Sequence, residues 1–168
     1  MMGLLRLYLE FEENEYSPLW AKENFVQYRS IARVHDVVDQ LMGTCDKVEI
    51  ARSSCGASDH VSIMKALTAG FFHNVARLQR DGQTYAVLGK GGLSVRIHPS
   101  SCMSKTREKW VIFHELVSTS AEFIRSVAPI DPNWLTDVAP HLYKMSDLEK
   151  LGVDKKMGNV PRNMPQGK

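Results

Sequence analysis

The sequence predicts an α+β fold, in which a helical N-terminal half is followed by a small β-domain with a C-terminal helix. Two observations lead to this prediction. Apolar residues recur at helical spacing through residues 1–70, and they alternate with polar residues from residue 71 onward. A glycine-rich run at 89–92 separates two of the alternating segments, which is typical of a hairpin turn. At 168 residues, 43% of them hydrophobic and 24% charged, the chain is long enough for one compact domain or two small ones.

The helical half is assigned to residues 1–70 and contains four predicted helices, which start near Leu4, Pro18, Ile31 and Asp59. Ser17 is the predicted N-cap of the second helix, because Pro18 suits the first helical position, where no backbone N–H is needed. Ser30 is the predicted N-cap of the third helix, which is expected to end at Gly43. The third helix carries one apolar stripe, which we interpret as core packing and which consists of Ile31, Val34, Val37, Val38 and Leu41.

The β-domain is assigned to residues 71–144. Four strands are expected, at 84–88, 93–98, 109–120 and 122–130. Asp131 is the predicted N-cap of a short helix that begins at Pro132. Several short strands joined by hairpins predict a small sandwich or a partly open Greek-key barrel. Residues 145–168 offer little to bury and are expected to form a flexible tail.

Charge is distributed unevenly along the chain, although the net charge is only +2. Residues 1–70 hold seven Lys or Arg and ten Asp or Glu, whereas residues 71–125 hold eight and four. The basic β-domain therefore indicates a phosphate-facing surface.

The cysteines and the apolar runs indicate the compartment. Cys45, Cys55 and Cys102 include no Cys-x-x-Cys pair, so neither structural zinc nor a disulfide framework is expected. A reducing compartment, the nucleus or the cytosol, is favoured. No apolar run approaches the ~20 residues of a membrane span. The start of the chain turns acidic at once, which is not typical of a signal peptide.

No motif in the sequence predicts catalysis. The run 89–92 lacks the hydroxyl residue and the following helix of a phosphate-binding loop. His114-Glu115 lacks the second histidine of the helical zinc-protease motif. Cys102 has no identifiable partner base, and the carboxylates form no pair suited to acid–base work. No catalytic residue, cofactor site or metal site is therefore predicted.

A basic, hydroxyl-rich segment is the strongest candidate for a binding site. The stretch 95–104, VRIHPSSCMS, opens as a strand, breaks at Pro99 into serines and continues into a basic run. Its candidate phosphate-binding residues are Arg96, His98, Ser100, Ser101, Ser104, Lys105, Arg107 and Lys109. Small β-barrels bind single-stranded nucleic acid along such electropositive grooves, although an ordinary strand-to-loop exit is the alternative. Arg29 and Ser30 are further candidates, because a helix that starts at Ser30 presents free N–H groups to an anion.

Several segments resemble, in order and spacing, the C-terminal region of DEAH-box RNA helicases, and most closely the pre-mRNA-splicing ATP-dependent helicases. They lie at 20–50, at 67–78 (LTAGFFHNVARL), at 95–102 (VRIHPSSC) and at 110–143, which begins WVIFHELVSTSAEF. The resemblance covers residues 4–144. It implies a helical, ratchet-like module followed by an OB-fold. In that family these domains pack against two RecA-like motor domains and close a tunnel for single-stranded RNA.

The resemblance also implies RNA contacts at Arg29, Ser30, His98, Ser100 and Ser101. The family's ATP-binding loop and DEAH box are missing from this sequence, so ATP and Mg²⁺ are expected to bind motor domains on the same or a separate chain. We therefore expect a fragment or a free-standing remnant of a nuclear splicing helicase, inactive alone. Other implied partners are spliceosomal proteins and an activator of the G-patch type. The alternative function is a protein-interaction module that docks motor or activator proteins without binding RNA.

Overall fold

The computed structural model describes residues 1–51, 53–56 and 59–152, with side chains described as far as residue 148. Its helices are α1 (Met2–Glu13), α2 (Pro18–Glu23), α3 (Tyr28–Lys47), α4 (His60–Phe71), α5 (Pro132–Val138) and α6 (Met145–Gly152). Its strands are β1 (Val75–Leu78), β2 (Tyr85–Val87), β3 (Ser94–Ile97), β4 (Trp110–Ile112), β5 (Glu115–Ser118), β6 (Glu122–Arg125) and β7 (Ala128–Pro129). Helices at both ends enclose a sheet, so the predicted α+β class is confirmed.

The strands form one curled sheet in the order β5-β6-β3-β2-β1-β4-β7. Neighbours are antiparallel except for β3 and β6, which are parallel. Although β4 and β5 lie near opposite ends of this order, only Phe113 and His114 separate them in the chain. The Phe113 N–H donates to Asn74 O at 3.0 Å, and the His114 N–H donates to Arg125 O at 3.1 Å. A single chain segment thus pairs first with β1 and then with β6, which curls the sheet into a partly closed barrel.

The barrel has an inner and an outer hydrophobic core. The inner core fills the barrel with Ala76, Tyr85, Val87, Val95, Val111, Phe113, Ile124 and Val127. The outer core joins the outer side chains of β1, β4 and β7 to the helices, through Met64 of α4, Leu135 of α5 and Leu148 of α6. β4 is consequently buried along its whole length, whereas β3 alternates between exposed and buried residues. The helices therefore cover one wall of the barrel and leave the β3–β6 wall open.

The helical half has a much smaller core. Only Phe11, Ala21 and Ile31 are buried there, and four partly buried side chains pack around them. The predicted cap at Ser17 is confirmed, because its hydroxyl accepts the Trp20 N–H at 3.4 Å. Met1 and Met2 pack instead against the outer core of the barrel.

The start, the end and the exposed face of α3 differ from the prediction. The helix begins at Tyr28 with Gln27 as its N-cap, because the extended backbone of Gln27 precedes the first helical turn. Ser30 lies inside that turn and donates its hydroxyl to Gln27 Oε1 at 2.7 Å. The helix also continues through Gly43 to Lys47, since Gly43 does not have the positive φ of a helix-terminating glycine.

The apolar stripe of α3 was interpreted as core, and this interpretation is wrong for most of it. Ile31 is buried, but the exposed fractions of Val34, Val37 and Leu41 are 46%, 45% and 59%. The helical spacing is real, yet no described part of the chain packs over these three side chains. A stripe at helical spacing shows which side chains share a face and does not show what covers that face.

The strand predictions were right for the hairpin and wrong at the corners. β2 and β3 pair antiparallel, as expected for 84–88 and 93–98, and the turn contains glycines with positive φ. The sequence analysis missed β1. The segment 109–120 divides at Phe113 and His114, and 122–130 divides at Ser126, whose φ of 52° ends β6. The alternation of apolar and polar residues gives no sign of these divisions, because each one arises where the chain changes the strand with which it pairs.

Residues on the outer sides of the two assigned boundaries of the β-domain also pack on the barrel. α4, assigned to the helical half, contributes Met64 to the outer core of the barrel and buries Thr68, whose hydroxyl donates to Met64 O. The tail expected to be flexible from residue 145 opens with α6, and Leu148 is buried in the outer core. Apolar residues at 145 and 148 give this short helix one face to bury. The rest of that tail, 153–168, lies outside the described residues.

Candidate nucleic-acid interface

The open wall of the barrel carries a row of outward side chains from β3 and β6. In the parallel pairing, Arg96 lies opposite Phe123 and Ile97 opposite Ile124. Ile124 is buried in the inner core, and successive side chains of a strand point to opposite faces, so the alternate residues point outward. We define the β3–β6 face as these outward residues, namely Ser94, Arg96, His98, Phe123 and Arg125.

His98 links this face to the turn that follows β3. Its Nδ1 accepts the Ser100 N–H at 3.2 Å and lies 2.7 Å from Ser100 Oγ. Because a backbone N–H only donates, Nδ1 is the acceptor of that hydrogen bond. Nε2 lies 3.3 Å from Arg125 Nη2, and the ring meets Phe123 edge to face, with centroids 5.5 Å apart. Ser100 therefore holds the His98 ring by hydrogen bonding, and Phe123 and Arg125 lie next to it.

A cationic cleft lies beside the same face. It has a volume of about 290 Å³ and is lined by the cations Arg96, Lys105 and Arg107 and by the polar residues Gln83, Ser104 and Thr106. Arg107 Nη1 donates to the carbonyl of Gly82, which fixes one side of the cleft. A Cβ at Gly82 would lie 3.1 Å from that nitrogen, and the φ of +65° also favours glycine. Three of the predicted phosphate-binding cations thus converge on one opening.

The β1–β2 turn that borders the cleft is fixed by Asp81. Its carboxylate accepts the Thr84 hydroxyl at 2.6 Å and the N–H groups of Gln83 and Thr84 at 2.9 Å each. These hydrogen bonds, that of the Thr84 hydroxyl first, lower the pKa of Asp81 to about 2, and the charge of Arg96 acts in the same direction. Asp81 therefore stays anionic at neutral pH and holds the turn in place.

The structure brings together only part of the predicted site. Arg96, Lys105 and Arg107 share the cleft, and His98 contacts Ser100 on the neighbouring face. Ser101 is half-buried, and its hydroxyl accepts the Met103 N–H at 3.2 Å, which ties up that oxygen inside the turn.

Arg29 and Ser30 lie in the first turn of α3, which is not part of the barrel. Among the described residues, no hydrogen bond, ion pair or ring contact joins either side chain to the barrel. The Ser30 N–H donates to Gln27 O at 3.0 Å, so it is not a free helix-terminal donor. The predicted helix start at Ser30 is corrected accordingly, because the helix begins three residues earlier, at Tyr28 with Gln27 as its N-cap.

Phe123 and Arg125 were missed by the sequence analysis. Both lie in a segment whose strand character was predicted, and their spacing of two places them on one face. That spacing was the available signal. What the sequence did not reveal is the parallel pairing with β3, which carries them next to Arg96 and His98.

Over the described ranges, no group of three or more His, Cys, Asp or Glu side chains is arranged to hold a metal ion. The helices described here also include none with the length and hydropathy needed to cross a bilayer.

Residues 63–143 match a protein-family model described as an oligonucleotide/oligosaccharide-binding (OB)-fold. The match begins inside α4 and ends after α5, so it includes all seven described strands, most of α4 and all of α5, but not α6. This agrees with the packing of α4 on the barrel. The match and the curled sheet agree that this part of the chain has an OB-fold.

Proposed function

We propose that this chain is the C-terminal accessory part of a DEAH-box RNA helicase of the pre-mRNA-splicing type, which contacts single-stranded RNA and regulates the motor domains. Support comes from the order of a helical module before an OB-fold and from the helicase-like segments across residues 4–144. In this proposal the chain acts in the nucleus, and ATP hydrolysis belongs to motor domains whose motifs this sequence lacks.

The convergence of three cations on one cleft is the observation that carries the proposal. Arg96, Lys105 and Arg107 line the cleft beside the open wall of an OB-fold. Lys and Arg in such a groove neutralise backbone phosphates, and neighbouring hydroxyl and amide groups donate hydrogen bonds to phosphate oxygens. Contacts of this kind position a strand without reading its bases, so weak sequence preference is expected.

The test is RNA binding by the full chain as a function of salt, measured by fluorescence anisotropy with a labelled single-stranded RNA. For each phosphate contact, log K is expected to fall by about 0.7 per log unit of salt. The variant Lys105→Ala/Arg107→Ala is expected to bind more weakly and to lose about 1.4 from that slope. The matched control is Lys22→Ala/Lys65→Ala, two lysines of the helices that do not line the cleft.

Negligible binding by the wild type, or a slope that does not respond to salt, would contradict the proposal. An equal loss in the control variant would show that only the net charge matters. A thermal melt of each variant separates lost contacts from lost folding, because Arg107 also holds Gly82.

The second candidate function is a module that docks helicase motor domains or a G-patch type activator without binding RNA. It is favoured by the exposed stripe of α3 and by Phe25, whose side chain is 99% exposed. The same binding experiment separates the two, since the docking function predicts negligible RNA affinity for the wild type and for both double variants.

A further inference from the structure

We propose that the β3–β6 face contains a base-stacking subsite, in which an unpaired RNA base lies against the ring of Phe123 while Arg96 and Arg125 hold the neighbouring phosphates. This inference rests on the proposed RNA-binding function and extends it from the phosphates to a base. It assigns a role to two residues that lie outside the cationic cleft.

Phe123 lies outside the hydrophobic cores of the barrel. Phe123 is half-buried, yet it belongs to none of the three hydrophobic clusters, whereas its neighbour Ile124 is fully buried in the inner core. Phe123 therefore points to the wall of the barrel that the helices leave open. An aromatic ring on an open OB-fold wall offers a π-face, and bases of every type stack on such faces.

Positive charge flanks the ring on both sides. Arg96 is the cross-strand partner of Phe123, and Arg125 follows two residues along the same strand, about 6.5 to 7 Å away. No ion pair among the described residues involves either arginine. Glu115 is the cross-strand partner of Arg125, but its carboxylate lies 3.7 Å from His114 Nδ1, and Asp81 interacts with the charge of Arg96 without forming an ion pair. The guanidinium groups are thus available for phosphates on either side of a stacked base.

His98 fixes the orientation of the Phe123 ring. The two rings meet at an interplanar angle of 73°, and His98 is itself held by its hydrogen bond from the Ser100 N–H. A ring that is already ordered loses less side-chain entropy when a base stacks on it, and affinity rises for that reason. His98 is therefore a positioning residue, and Phe123 is the residue that contacts the base.

The experiment uses the full chain and a single-stranded RNA that contains 2-aminopurine, whose fluorescence falls when the base stacks. Wild type and Phe123→Trp, which keeps a π-face, are expected to bind and to quench the probe. Phe123→Leu, which keeps an apolar side chain without a π-face, is expected to bind at least about fivefold more weakly and to lose the quenching. Its salt slope is expected to stay unchanged, because the phosphate contacts remain. Phe25→Leu is the matched control, because that phenylalanine is exposed in the helical half.

A second measurement needs no variant. Wild type is expected to bind an RNA of the same length with abasic sites more weakly, by about the factor lost in Phe123→Leu. If wild type binds RNA with a steep salt dependence but binds the abasic strand equally well, the stacking subsite is overturned and the phosphate-binding function stands. If wild type binds neither strand, both proposals are overturned.

Discussion

The barrel and the helical half are stabilised to very different extents. Each of the two cores of the barrel contains eight buried residues, whereas the core of α1 to α3 contains three. The barrel covers its own apolar side chains. The helical half leaves Val34, Val37 and Leu41 about half exposed or more, together with a fully exposed Phe25.

This difference indicates which half carries a candidate surface for binding another protein. Soluble proteins rarely expose contiguous apolar patches beyond a few hundred Å², and larger ones mark interaction sites. The outer core shows a covered counterpart within the chain, since β4 is apolar and buried on both faces and helices pack on its outer face. The stripe of α3 has the same composition without such a cover. The apolar side chains of the barrel are therefore covered within the chain, whereas the helical half presents an exposed apolar face.

The largest expected effect comes from removing the same side chain from each core. Phe11→Ala and Phe113→Ala are each expected to cost about 3–5 kcal/mol of local stability. A three-residue core cannot absorb that loss, so Phe11→Ala is expected to unfold α1 to α3 while the barrel stays folded. Hydrogen exchange measured by mass spectrometry reports both halves at once. Loss of protection throughout the chain in Phe11→Ala would show that the halves fold as one unit.

A smaller effect is expected at the helix starts of the helical half. Ser17→Ala removes the hydroxyl that accepts the Trp20 N–H and is expected to cost about 0.5–1 kcal/mol. Ser30→Ala is the matched control, because Ser30 lies inside the first turn of α3 and caps nothing. Urea unfolding of both variants checks the difference. Equal midpoints would mean that the 3.4 Å contact at Ser17 contributes nothing.

The third prediction concerns the pH dependence of the stability that Asp81 gives to the barrel. Hydrogen bonds hold the pKa of Asp81 at about 2 in the folded chain, against about 3.9 when unfolded. The resulting stabilisation is complete above about pH 4 and is lost as the pH falls towards 2. The melting temperature of wild type is therefore expected to exceed that of Asp81→Asn at neutral pH, and the difference between the two is expected to vanish near pH 2.

The control for this prediction is Asp137→Asn, since the Asp137 carboxylate accepts no hydrogen bond among the described residues. Its difference from wild type is expected not to follow the same course between pH 4 and pH 2. A difference for Asp81→Asn that persists at pH 2 would contradict the assignment.

The smallest effect is expected on the stripe of α3. Leu41→Ala removes a side chain that is 59% exposed and is expected to change stability by less than about 0.5 kcal/mol. The same change at Leu135, which is fully buried in the outer core, is expected to cost about 2–5 kcal/mol. A large loss at Leu41 in urea unfolding would show that this side of α3 is already covered, and the contrast between the halves would then disappear.

Local signals in the sequence predicted local structure correctly. Ser17 and Asp131 cap helices as expected, because a cap depends on residues two or three positions away. The hairpin at 89–92 depends on its own glycines and was also predicted. The strand β1 and the corner at Phe113 and His114 were missed, since both depend on pairing between segments far apart in the chain.

The candidate site divides in the same way. Arg96, Lys105 and Arg107 were identified because they lie within twelve residues of each other in the sequence. Phe123 and Arg125 come from another strand, and only the parallel register brings them to Arg96. For Arg29 and Ser30 the assignment to RNA stays a prediction, because no described contact joins their side chains to the barrel or to the cationic cleft.

The helices meet the barrel on one wall only. Met1, Met2, α4, α5 and α6 all pack on the outer core, on the side of β1, β4 and β7. The helices therefore contact that side of the barrel directly. The opposite side, with Arg96 and Phe123, is joined to the helices only through the hydrogen bonds between strands and the inner core of the barrel. The arrangement of Arg96 and Phe123 is therefore set by the strand pairing and the inner core of the barrel and not by the helices.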